Sequence, residues 1–427
     1  MRYPPEICDV TAIMSDGTTN DRMAKRGDNI VNTPTRHFNV LHLIVAIRAT
    51  NGQYNEHCLP LADQRHIAIC TYFKSEIKPF AKITLYEGDN SLRGFFRALK
   101  AALRDGEYEV IHAHAPHTGF LLLVGIFIFG KYRKLMPSTV YTVQNSYQNY
   151  KFRNRVLMIP AFAFFRKLVC CSNACRESLP FFLKWLGGDR IHVVQNAVNI
   201  DRVERVIGNN GAHFKRVFET TDRSLNGRNF GRSCIKSDRS VTFQTLSEKE
   251  SFTIASVGRL IEIKNPLALL QAFHQSHNPA SRLVFIGEGH LRPKLIQEIK
   301  RLGLERQVAL TGLIGRDEVY DRLAKADLFV SASRGEGLPV AVIEAMACGC
   351  PVILSDIPPH REIGDEVDFI PLIQPDDATG FAREIKRFRQ MPTSERTEIG
   401  KRCKKLVEER FSLAAMHKGY EKIYAQV

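Results

Sequence analysis

The sequence predicts an α/β protein built from two doubly wound domains, each a mostly parallel sheet with helices on both faces. Apolar runs with little polar alternation, typical of strands buried on both faces, recur along the 427-residue chain. Helical stretches separate several of these runs. The pattern occurs twice, in residues 38–200 and in residues 251–409, which predicts one Rossmann-like domain in each half.

The first half contains seven runs that we interpret as strands. They lie at residues 39–47, 66–73, 82–88, 109–115, 139–145, 167–173 and 191–198. Residues 91–106 have the character of a helix and fall between the third and the fourth run. This alternation of strands and helices predicts that the strands pair in parallel.

The second half repeats the plan with six runs that we also interpret as strands. They lie at residues 252–258, 281–287, 307–312, 327–333, 350–356 and 367–372. Three of them end in glycine, at Gly258, Gly287 and Gly312, where a tight turn and close approach of a ligand become possible. Ligands of open α/β sheets bind beyond the carboxyl ends of the strands, so we expect the functional residues there.

Three segments lie outside the two predicted domains. Residues 1–37 form a polar extension that lacks the apolar core of a signal peptide. Residues 201–250 form a polar linker or insertion. Residues 394–427 have a helical pattern, and we expect the last helix, 410–427, to cross back to the first domain.

Composition narrows the class of protein. Hydrophobic residues make up 44% and charged residues 25% of the chain, which excludes collagen, a disulfide miniprotein and a wholly disordered chain. The ten cysteines show no zinc-binding or disulfide framework. We therefore interpret them as reduced thiols of a cytoplasmic protein, and we expect no metal site.

The net charge of +15 is concentrated in the first half, since residues 1–200 carry 25 Lys and Arg against 15 Asp and Glu. Such a surface indicates either an anionic partner or a solvated basic face. Nucleic acid is the least supported partner because no nucleic-acid-binding motif is present. The apolar runs 120–130 and 156–165 are too short to span a bilayer, but they leave peripheral contact with an anionic membrane open.

Two acidic residues frame one predicted helix of the second half. The helix begins at Pro339, a residue that suits the first helical position, and ends at Gly349, which suits the position after the helix. Glu336 precedes this helix and Glu344 lies within it, so one carboxylate could bind a sugar at the helix tip while the other binds ribose hydroxyls. The alternative is a partner of the helix dipole (Glu336) and a surface glutamate (Glu344).

The tip of this helix is a candidate anion site because the first N–H groups of a helix are unpaired and its dipole is positive there. The candidate residues at the tip are Gly337, Leu338, Pro339 and Val340.

Two cations follow the first strand of the second half. Arg259 stands directly after Gly258, and Lys264 follows five residues later. Arg binds a diphosphate in bidentate fashion and Lys binds it as a point charge. The alternative is a pair of exposed loop cations. Gly312 and Leu313, at the end of another strand, could hold a flat base against the backbone.

These residues identify a family. The second half resembles the retaining GT-B glycosyltransferases of sequence family 4, also described as glycosyl transferases group 1. The matching motifs are Val257-Gly258-Arg259 with Lys264-Asn265, Phe285-Ile286-Gly287-Glu288-Gly289, Leu310-Thr311-Gly312, and the stretch from Glu336 through Glu344 to Val352. The resemblance implies a GT-B fold, with two Rossmann-like domains facing across a cleft. It also implies that Arg259 and Lys264 hold the donor diphosphate, Glu336 contacts the transferred sugar and Glu344 binds the ribose.

The first half matches this family in outline. Val110-Ile111-His112-Ala113-His114 resembles the family strand that ends in histidine, which implies that His114 faces the cleft near the reacting sugar. Two candidate substrate-binding positions depart from the family pattern. Asn145 follows Gln144 where the family often has histidine, and Gly52 stands alone where the family often has a double glycine.

Three functions remain open at this stage. The first is transfer of a sugar, with retention of configuration, from a nucleotide-diphosphate sugar to a glycan or glycolipid acceptor. The resemblance implies that this reaction needs no metal or other cofactor beyond the donor co-substrate. The second is a sugar-nucleotide epimerase or hydrolase on the same scaffold. The third is a catalytically degenerate module that binds a nucleotide sugar.

Overall fold

The computed structural model describes residues 38–48, 51–208 and 251–427. The predicted extension 1–37 and most of the predicted linker 201–250 lie outside the described residues. Two parallel sheets with helices occupy the described part, which confirms the predicted α/β class.

The first sheet has seven parallel strands in the order β3-β2-β1-β4-β5-β6-β7. All seven predicted strands are confirmed, with shorter bounds. They are β1 (Val40–Ile44), β2 (Ile67–Thr71), β3 (Ile83–Glu87), β4 (Val110–Ala113), β5 (Thr139–Val143), β6 (Lys167–Cys170) and β7 (Ile191–Val193). Every residue of β1, β2, β4 and β5 is buried, as expected when both faces of a parallel sheet are covered.

Helices connect these strands. They are α1 (Leu92–Asp105), α2 (Pro116–Ile128), α3 (Phe152–Phe164), α4 (Asn173–Glu177), α5 (Phe181–Gly187) and α6, described over residues 200–208. Helix α1 matches the prediction at 91–106. Ser91 caps it by accepting a hydrogen bond of 2.9 Å from the backbone N–H of Gly94.

The second sheet has six parallel strands in the order β10-β9-β8-β11-β12-β13. They are β8 (Phe252–Val257), β9 (Ser281–Ile286), β10 (Val308–Leu310), β11 (Leu328–Ser331), β12 (Val352–Ser355) and β13 (Leu372–Ile373). The bounds predicted for the last strand, 367–372, are wrong. Phe369 and Ile370 lie in a turn and are buried in the core, so their apolar character reflects packing and not strand pairing.

The helices of the second half complete the layers. They are α7 (Pro266–Ser276), α8 (Arg292–Arg301), α9 (Arg316–Lys325), α10 (Val340–Ala347), α11 (Pro358–Gly364), α12 (Ala378–Gln390), α13 (Thr393–Arg410) and α14 (Leu413–Tyr424).

Helix α10 begins one residue later than predicted. Pro339 has φ −77° and ψ 91°, so it is the extended residue that precedes the helix and not its first residue. At the other end Gly349 has φ +74°, the left-handed conformation predicted for the residue after the helix.

The C-terminal helix α14 packs against the first sheet. The predicted helical region 394–427 breaks at Ser412, whose side chain caps α14 and whose backbone bridges to Val198. Tyr420 and Tyr424 of α14 are buried in one apolar cluster with residues of the first sheet. A segment of the second half of the sequence therefore forms part of the core beneath the first sheet.

Strand order defines a switch point in each sheet. The order reverses beside β1 and β4 in the first sheet, and beside β8 and β11 in the second. Ligands of open α/β sheets bind in the crevice outside the carboxyl ends of such strands. The loops after β8 and β11 carry four of the predicted site residues, Gly258, Arg259, Lys264 and Glu336.

Candidate active site

A partly buried ion pair lies at the switch point of the second sheet. The Lys264 ammonium nitrogen is 2.5 Å and 2.6 Å from the two carboxylate oxygens of Glu336. The two loops are tied together because the backbone N–H of Arg334 donates to the carbonyl of Ile263 at 2.8 Å. The structure therefore brings together two residues, 72 positions apart, that the sequence predicts to share one site.

The turn at Asn265 positions Lys264. Asn265 has φ +53°, a left-handed conformation that ends the short helical turn Glu262–Lys264 and allows α7 to begin at Pro266. Its side-chain amide donates to the carbonyl of Pro375 at 2.8 Å, which fixes the turn against the opposite loop.

Glu336 is ionised in this setting. Burial alone would raise the pKa of this carboxyl group, but the Lys264 charge, assisted by His360 and by hydrogen bonds from Lys264 and Ser333, outweighs burial and lowers the pKa. The pair thus presents a fixed carboxylate beside the ammonium group of a lysine side chain that is 24% exposed. Such a pair can accept and donate hydrogen bonds to sugar hydroxyls or to phosphate oxygens.

Arg259 differs from Lys264 in having no ion-pair partner. Its side chain is exposed, and no hydrogen bond or ion pair links it to another described residue. The guanidinium group can therefore bind an anion without first breaking a protein contact.

The three predicted glycines crowd together where β8, β9 and β10 end. A Cβ atom on Gly287, which has φ +142°, would lie 2.1 Å from the carbonyl oxygen of Gly258. Gly287 and Gly312 form an antiparallel bridge, and Gly312 has φ +75°. Close approach of backbone to backbone is sufficient to require glycine at Gly287. The neighbouring Leu313 is 71% exposed.

The second predicted carboxylate, Glu344, belongs to a buried cluster that the sequence did not predict. Its Oε1 accepts hydrogen bonds from the Arg316 guanidinium at 2.8 Å and from the Tyr320 hydroxyl at 3.1 Å. Arg316 also forms an ion pair with Glu56 of the first half. The side chains of Arg316, Glu344 and Glu56 are all less than 10% exposed, so the alternative interpretation of Glu344 as a surface glutamate is wrong.

This cluster, which we call the Arg316 clamp and define as Glu56, Arg316 and Glu344, joins the two halves of the described chain. Burial raises the pKa of Glu56 to about 8, with the Glu344 charge acting in the same direction and Arg316 opposing both. The sequence gives little signal for the clamp. Arg316 is one cation at the start of a helix, and Glu56 stands 260 positions away.

Side chains of the first half hold the backbone around Glu336. The Ser146 hydroxyl donates to the Glu336 carbonyl at 2.6 Å, and the Asn149 amide donates to it at 3.2 Å. The predicted residue Asn145 accepts hydrogen bonds from the Ser146 backbone and the Asn149 side chain, so it orders this loop. A Cβ atom on Gly337 would lie 2.4 Å from the carbonyl oxygen of Gln144, which shows how closely the two loops pack.

The other predicted positions around these loops differ in exposure. Leu338 is 4% exposed, so its side chain serves packing, and only its backbone remains available to a ligand. Val340 is half-buried at the first position of α10. Gly52 precedes the π-helical turn Gln53–Cys58, and a Cβ atom on it would lie 3.0 Å from Oε2 of Glu56.

His114 lies in a cluster of four buried histidines, and its predicted position near the reacting sugar stays a prediction. It is 4% exposed, and its Nε2 is 2.9 Å from Nδ1 of His42. His57 and His112 complete the cluster, with the His112 and His114 rings 3.9 Å apart. Burial lowers the pKa of His42 to about 3, with Arg65 acting in the same direction. Burial and the neighbouring histidines also lower the pKa of His57, His112 and His114.

Among the described residues, one group has the arrangement to hold a metal ion: His42, His112 and His114, whose ligand nitrogens lie within 4.8 Å of one another. His112 already uses both nitrogens, toward the Tyr424 hydroxyl at 2.8 Å and the Thr142 hydroxyl at 2.7 Å. Nδ1 of His114 is buried and has no hydrogen-bond partner among the described residues. The cluster as built is a hydrogen-bonded network of neutral imidazoles.

Comparison with known proteins places both halves in glycosyltransferase families. Residues 238–406 match the model described as "Glycosyl transferases group 1", and residues 67–202 match "Glycosyltransferase Family 4".

Two enzymes are similar in sequence. A Campylobacter jejuni enzyme, N-acetylgalactosamine-N,N'-diacetylbacillosaminyl-diphospho-undecaprenol 4-alpha-N-acetylgalactosaminyltransferase, is 33% identical over 144 residues, which are 34% of this chain and only 38% of that protein. An Escherichia coli enzyme, UDP-Gal:alpha-D-GlcNAc-diphosphoundecaprenol alpha-1,3-galactosyltransferase, is 25% identical over 311 residues, which are 70% of this chain and 69% of that enzyme.

Solved structures share the fold. The Anabaena protein Alr3699/HepE in complex with UDP-glucose has a TM-score of 0.65 at 18% identity, and the match covers 91% of this chain and 100% of that one. The two parallel sheets, the motifs at their strand ends and both family models agree, and the chain therefore belongs to the group 1 glycosyltransferases with the GT-B fold.

Proposed function

We propose that this protein is a retaining glycosyltransferase that moves a sugar from a nucleotide-diphosphate sugar to an acceptor hydroxyl in polysaccharide or glycolipid synthesis. The single observation that carries the proposal is the Lys264–Glu336 ion pair at the switch point of the second sheet, with the unpaired Arg259 in the same loop. This arrangement offers two cations to a diphosphate and a fixed carboxylate to the sugar that the diphosphate carries.

The two cations would act on the leaving group. Negative charge builds on the diphosphate as its bond to the sugar breaks, and donors fixed beforehand at that position stabilise the transition state. Arg259 is free to bind the diphosphate directly. Lys264 neutralises Glu336 in the free protein, so a bound diphosphate would share the ammonium group with that carboxylate. With these cations in place, we propose that the reaction needs no metal ion.

The anomeric configuration would be retained if the acceptor attacks the sugar on the face from which the diphosphate leaves. Both oxygens of Glu336 are held by Lys264, which makes this carboxylate a poor nucleophile. We therefore favour a front-face reaction in which the acceptor oxygen bonds to the anomeric carbon as the bond to the diphosphate breaks. The departing phosphate oxygen takes the acceptor proton. Nuclear magnetic resonance of the product would give the anomeric configuration, and an inverted product would overturn this step.

Glu344 would bind the ribose through its free oxygen. Its hydrogen bonds to Arg316 and Tyr320 all go to Oε1, which leaves Oε2 available within the described part of the chain. Arg316 would then orient the carboxylate that receives the ribose hydroxyls.

Related proteins suggest which substrates to test first. The names of the two similar enzymes give acceptors linked to diphospho-undecaprenol, and the Anabaena neighbour was solved with UDP-glucose. We propose a UDP-sugar as donor and a lipid-linked glycan as acceptor, used on the cytoplasmic side of a membrane.

Transfer can be tested with a panel of UDP-sugars and a sugar-diphospho-undecaprenol acceptor. We expect acceptor-dependent UDP release by the natural protein and strongly reduced release by Arg259→Ala and Lys264→Ala. Full activity in both variants would overturn the proposal. UDP release without acceptor would favour the hydrolase alternative, and stabilisation by UDP without turnover on any acceptor would favour the binding-module alternative.

A further inference from the structure

The outer surface of three helices in the first half exposes large apolar side chains. Phe152 is 80% exposed, Phe181 is 84% exposed and Trp185 is 74% exposed, although core burial is the usual fate of such residues. We call the surface the apolar patch and define it by Phe127 of α2, Phe152, Val156 and Ile159 of α3, and Phe181 and Trp185 of α5.

Helix α3 shows that the exposure is not a by-product of folding. Its inner face packs Met158, Ala161 and Phe162 into the core. The outer face repeats apolar residues at Phe152, Val156 and Ile159, with the spacing of one helical stripe. A surface helix of a soluble domain normally has polar residues on that face, so α3 carries a second apolar stripe that the core does not use.

The three helices that carry the patch are neighbours in the structure. Phe127 of α2 makes an edge-to-face contact with Phe164 of α3, with ring centroids 5.8 Å apart. Arg190 donates hydrogen bonds to the carbonyls of Phe162 in α3 and Leu186 in α5, both at 2.6 Å, which fixes these helices to each other. Contiguous exposed apolar surface of this kind marks an interaction site.

Positive charge surrounds the patch. Residues 110–190 contain 11 Lys and Arg but only two acidic residues, Glu177 and Asp189. The exposed cations on the same helices and adjoining loops include Lys131, Arg133, Lys151, Arg153, Arg166 and Lys184. This region alone therefore accounts for most of the positive charge of the first half.

We propose that the apolar patch docks on an anionic lipid bilayer, with its aromatic and aliphatic side chains inserted at the boundary of headgroups and acyl chains. Basic residues beside large apolar side chains match the chemistry of that boundary. A second copy of this chain is a poorer fit, since symmetric pairing of the patch would bring the cationic rims together. None of the helices in the described ranges combines the length and the apolar character needed to span a bilayer.

The patch adjoins the candidate active site. Phe152 stands three residues after Asn149, whose amide holds the carbonyl of Glu336. A bilayer in contact with α3 would therefore present the head of a membrane lipid close to the loop that orders Glu336. This link deepens the proposed function, on which it rests, because it implies that the acceptor is lipid-borne. The docking itself does not depend on sugar transfer.

The chain contains one tryptophan, Trp185, and it lies on the patch, so intrinsic fluorescence reports docking directly. We expect vesicles of equal parts phosphatidylglycerol and phosphatidylcholine to shift the emission to shorter wavelength and to reduce quenching by acrylamide. Pure phosphatidylcholine vesicles should do so much less, and salt should weaken the effect. Unshifted emission and unchanged quenching with the anionic vesicles would overturn the proposal.

A matched set of variants tests the apolar patch and keeps Trp185 as the fluorescent reporter. Phe152→Ser with Phe181→Ser should weaken binding to the anionic vesicles by about tenfold or more, because two inserted rings are lost. Phe80→Ser should leave binding unchanged, since Phe80 is 40% exposed near edge strand β3, at the other end of the sheet. Equal binding by both variants would overturn the proposal, as would concentration-dependent dimerisation that the double variant abolishes without any vesicle response.

The same variants separate docking from catalysis. We expect the double variant to retain transfer to a short, water-soluble acceptor and to lose transfer to an acceptor embedded in vesicles. Intact vesicle binding with no transfer to either acceptor would overturn the proposed function and leave the docking surface standing.

Discussion

The candidate site is built differently in the two halves of the chain. In the second half, Lys264 and Glu336 pair charge with charge, and Arg259 stands free beside them. In the first half, His114 lies among neutral imidazoles, while Ser146 and Asn149 contribute hydrogen bonds to backbone. We propose from this difference that the second half supplies the charge that binds a diphosphate, while the first half supplies neutral side chains that hold the backbone of the site in place.

The Arg316 clamp departs from this division because Glu56 of the first half contributes to it, and removing Arg316 should have the largest effect. Arg316→Ala would leave the buried carboxyl groups of Glu56 and Glu344 without the guanidinium group that both of them contact. We expect the free energy of unfolding in urea to fall by about 4 kcal/mol. Arg322→Ala on the same helix removes an exposed pair with Glu318 and should cost about 0.5 kcal/mol. Equal losses in the two variants would contradict a structural role for the clamp.

Removing either Arg259 or Lys264 should reduce activity, but only the loss of Lys264 should also reduce stability. Lys264→Ala leaves Glu336 buried and unpaired, so we expect it to lower the free energy of unfolding by about 3 kcal/mol. Arg259→Ala removes an exposed side chain and should leave stability unchanged. Each variant should slow sugar transfer by about a hundredfold or more, because each removes one donor to the leaving group. Unfolding curves and initial rates should be measured on the same preparations of both variants. Equal losses of stability in the two variants would contradict the difference expected between Lys264 and Arg259.

The close packing between the halves predicts a smaller effect at Gly337. An alanine Cβ atom would meet the carbonyl of Gln144 at 2.4 Å and push the Glu336 loop away from the first half. We expect Gly337→Ala to destabilise the protein by about 2 kcal/mol and to reduce transfer. Gly315→Ala is the control, since no atom lies within 4 Å of its added Cβ. Thermal unfolding of both variants tests this, and an unchanged melting temperature for Gly337→Ala would contradict it.

The histidine cluster predicts a pH dependence of stability. Burial holds the pKa of His42 at about 3 and lowers the pKa of His57, His112 and His114, so these groups stay neutral in the folded state. Below about pH 6.5 the unfolded chain binds more protons than the folded chain. The contribution of these four histidines to the free energy of unfolding is therefore complete above about pH 6.5. It is lost as the pH falls toward the pKa values of the histidines in the folded state.

Each histidine adds a slope of up to about 1.4 kcal/mol per pH unit in the acidic range. Urea unfolding between about pH 7 and about pH 5 measures the total slope, and His42→Gln should reduce it by the share of one histidine. A slope that His42→Gln leaves unchanged would show that His42 does not stay neutral.

Local sequence patterns predicted the features of the fold that depend on residues close to one another in the sequence. Five of the six strand runs predicted in the second half match observed strands, and the proximity of Lys264 to Glu336 follows from them because β8 and β11 are adjacent. The left-handed conformation of Gly349 was also predicted from a local pattern, because a glycine stands directly after the predicted helix. The last run was misplaced because Phe369 and Ile370 are buried by a turn, which an apolar pattern does not distinguish from a strand.

Contacts between distant segments were not predictable in this way. The clamp joins Glu56 to a residue 260 positions away, and no periodicity links them. His114 is enclosed with the help of α14, whose Tyr424 hydrogen-bonds to His112 across 312 positions. The apolar run 156–165 led to the prediction of a membrane contact. The exposure of Trp185 could not be predicted from the sequence, because it depends on how α5 packs against α3.

Calorimetric titration with UDP and with uridine tests most directly whether Arg259 and Lys264 bind a diphosphate. We expect Arg259→Ala and Lys264→Ala each to weaken UDP binding by about tenfold or more while leaving uridine binding unchanged, because only the diphosphate needs the cations. UDP binding of equal strength in the natural protein and in both variants would contradict the assignment of the diphosphate to this loop.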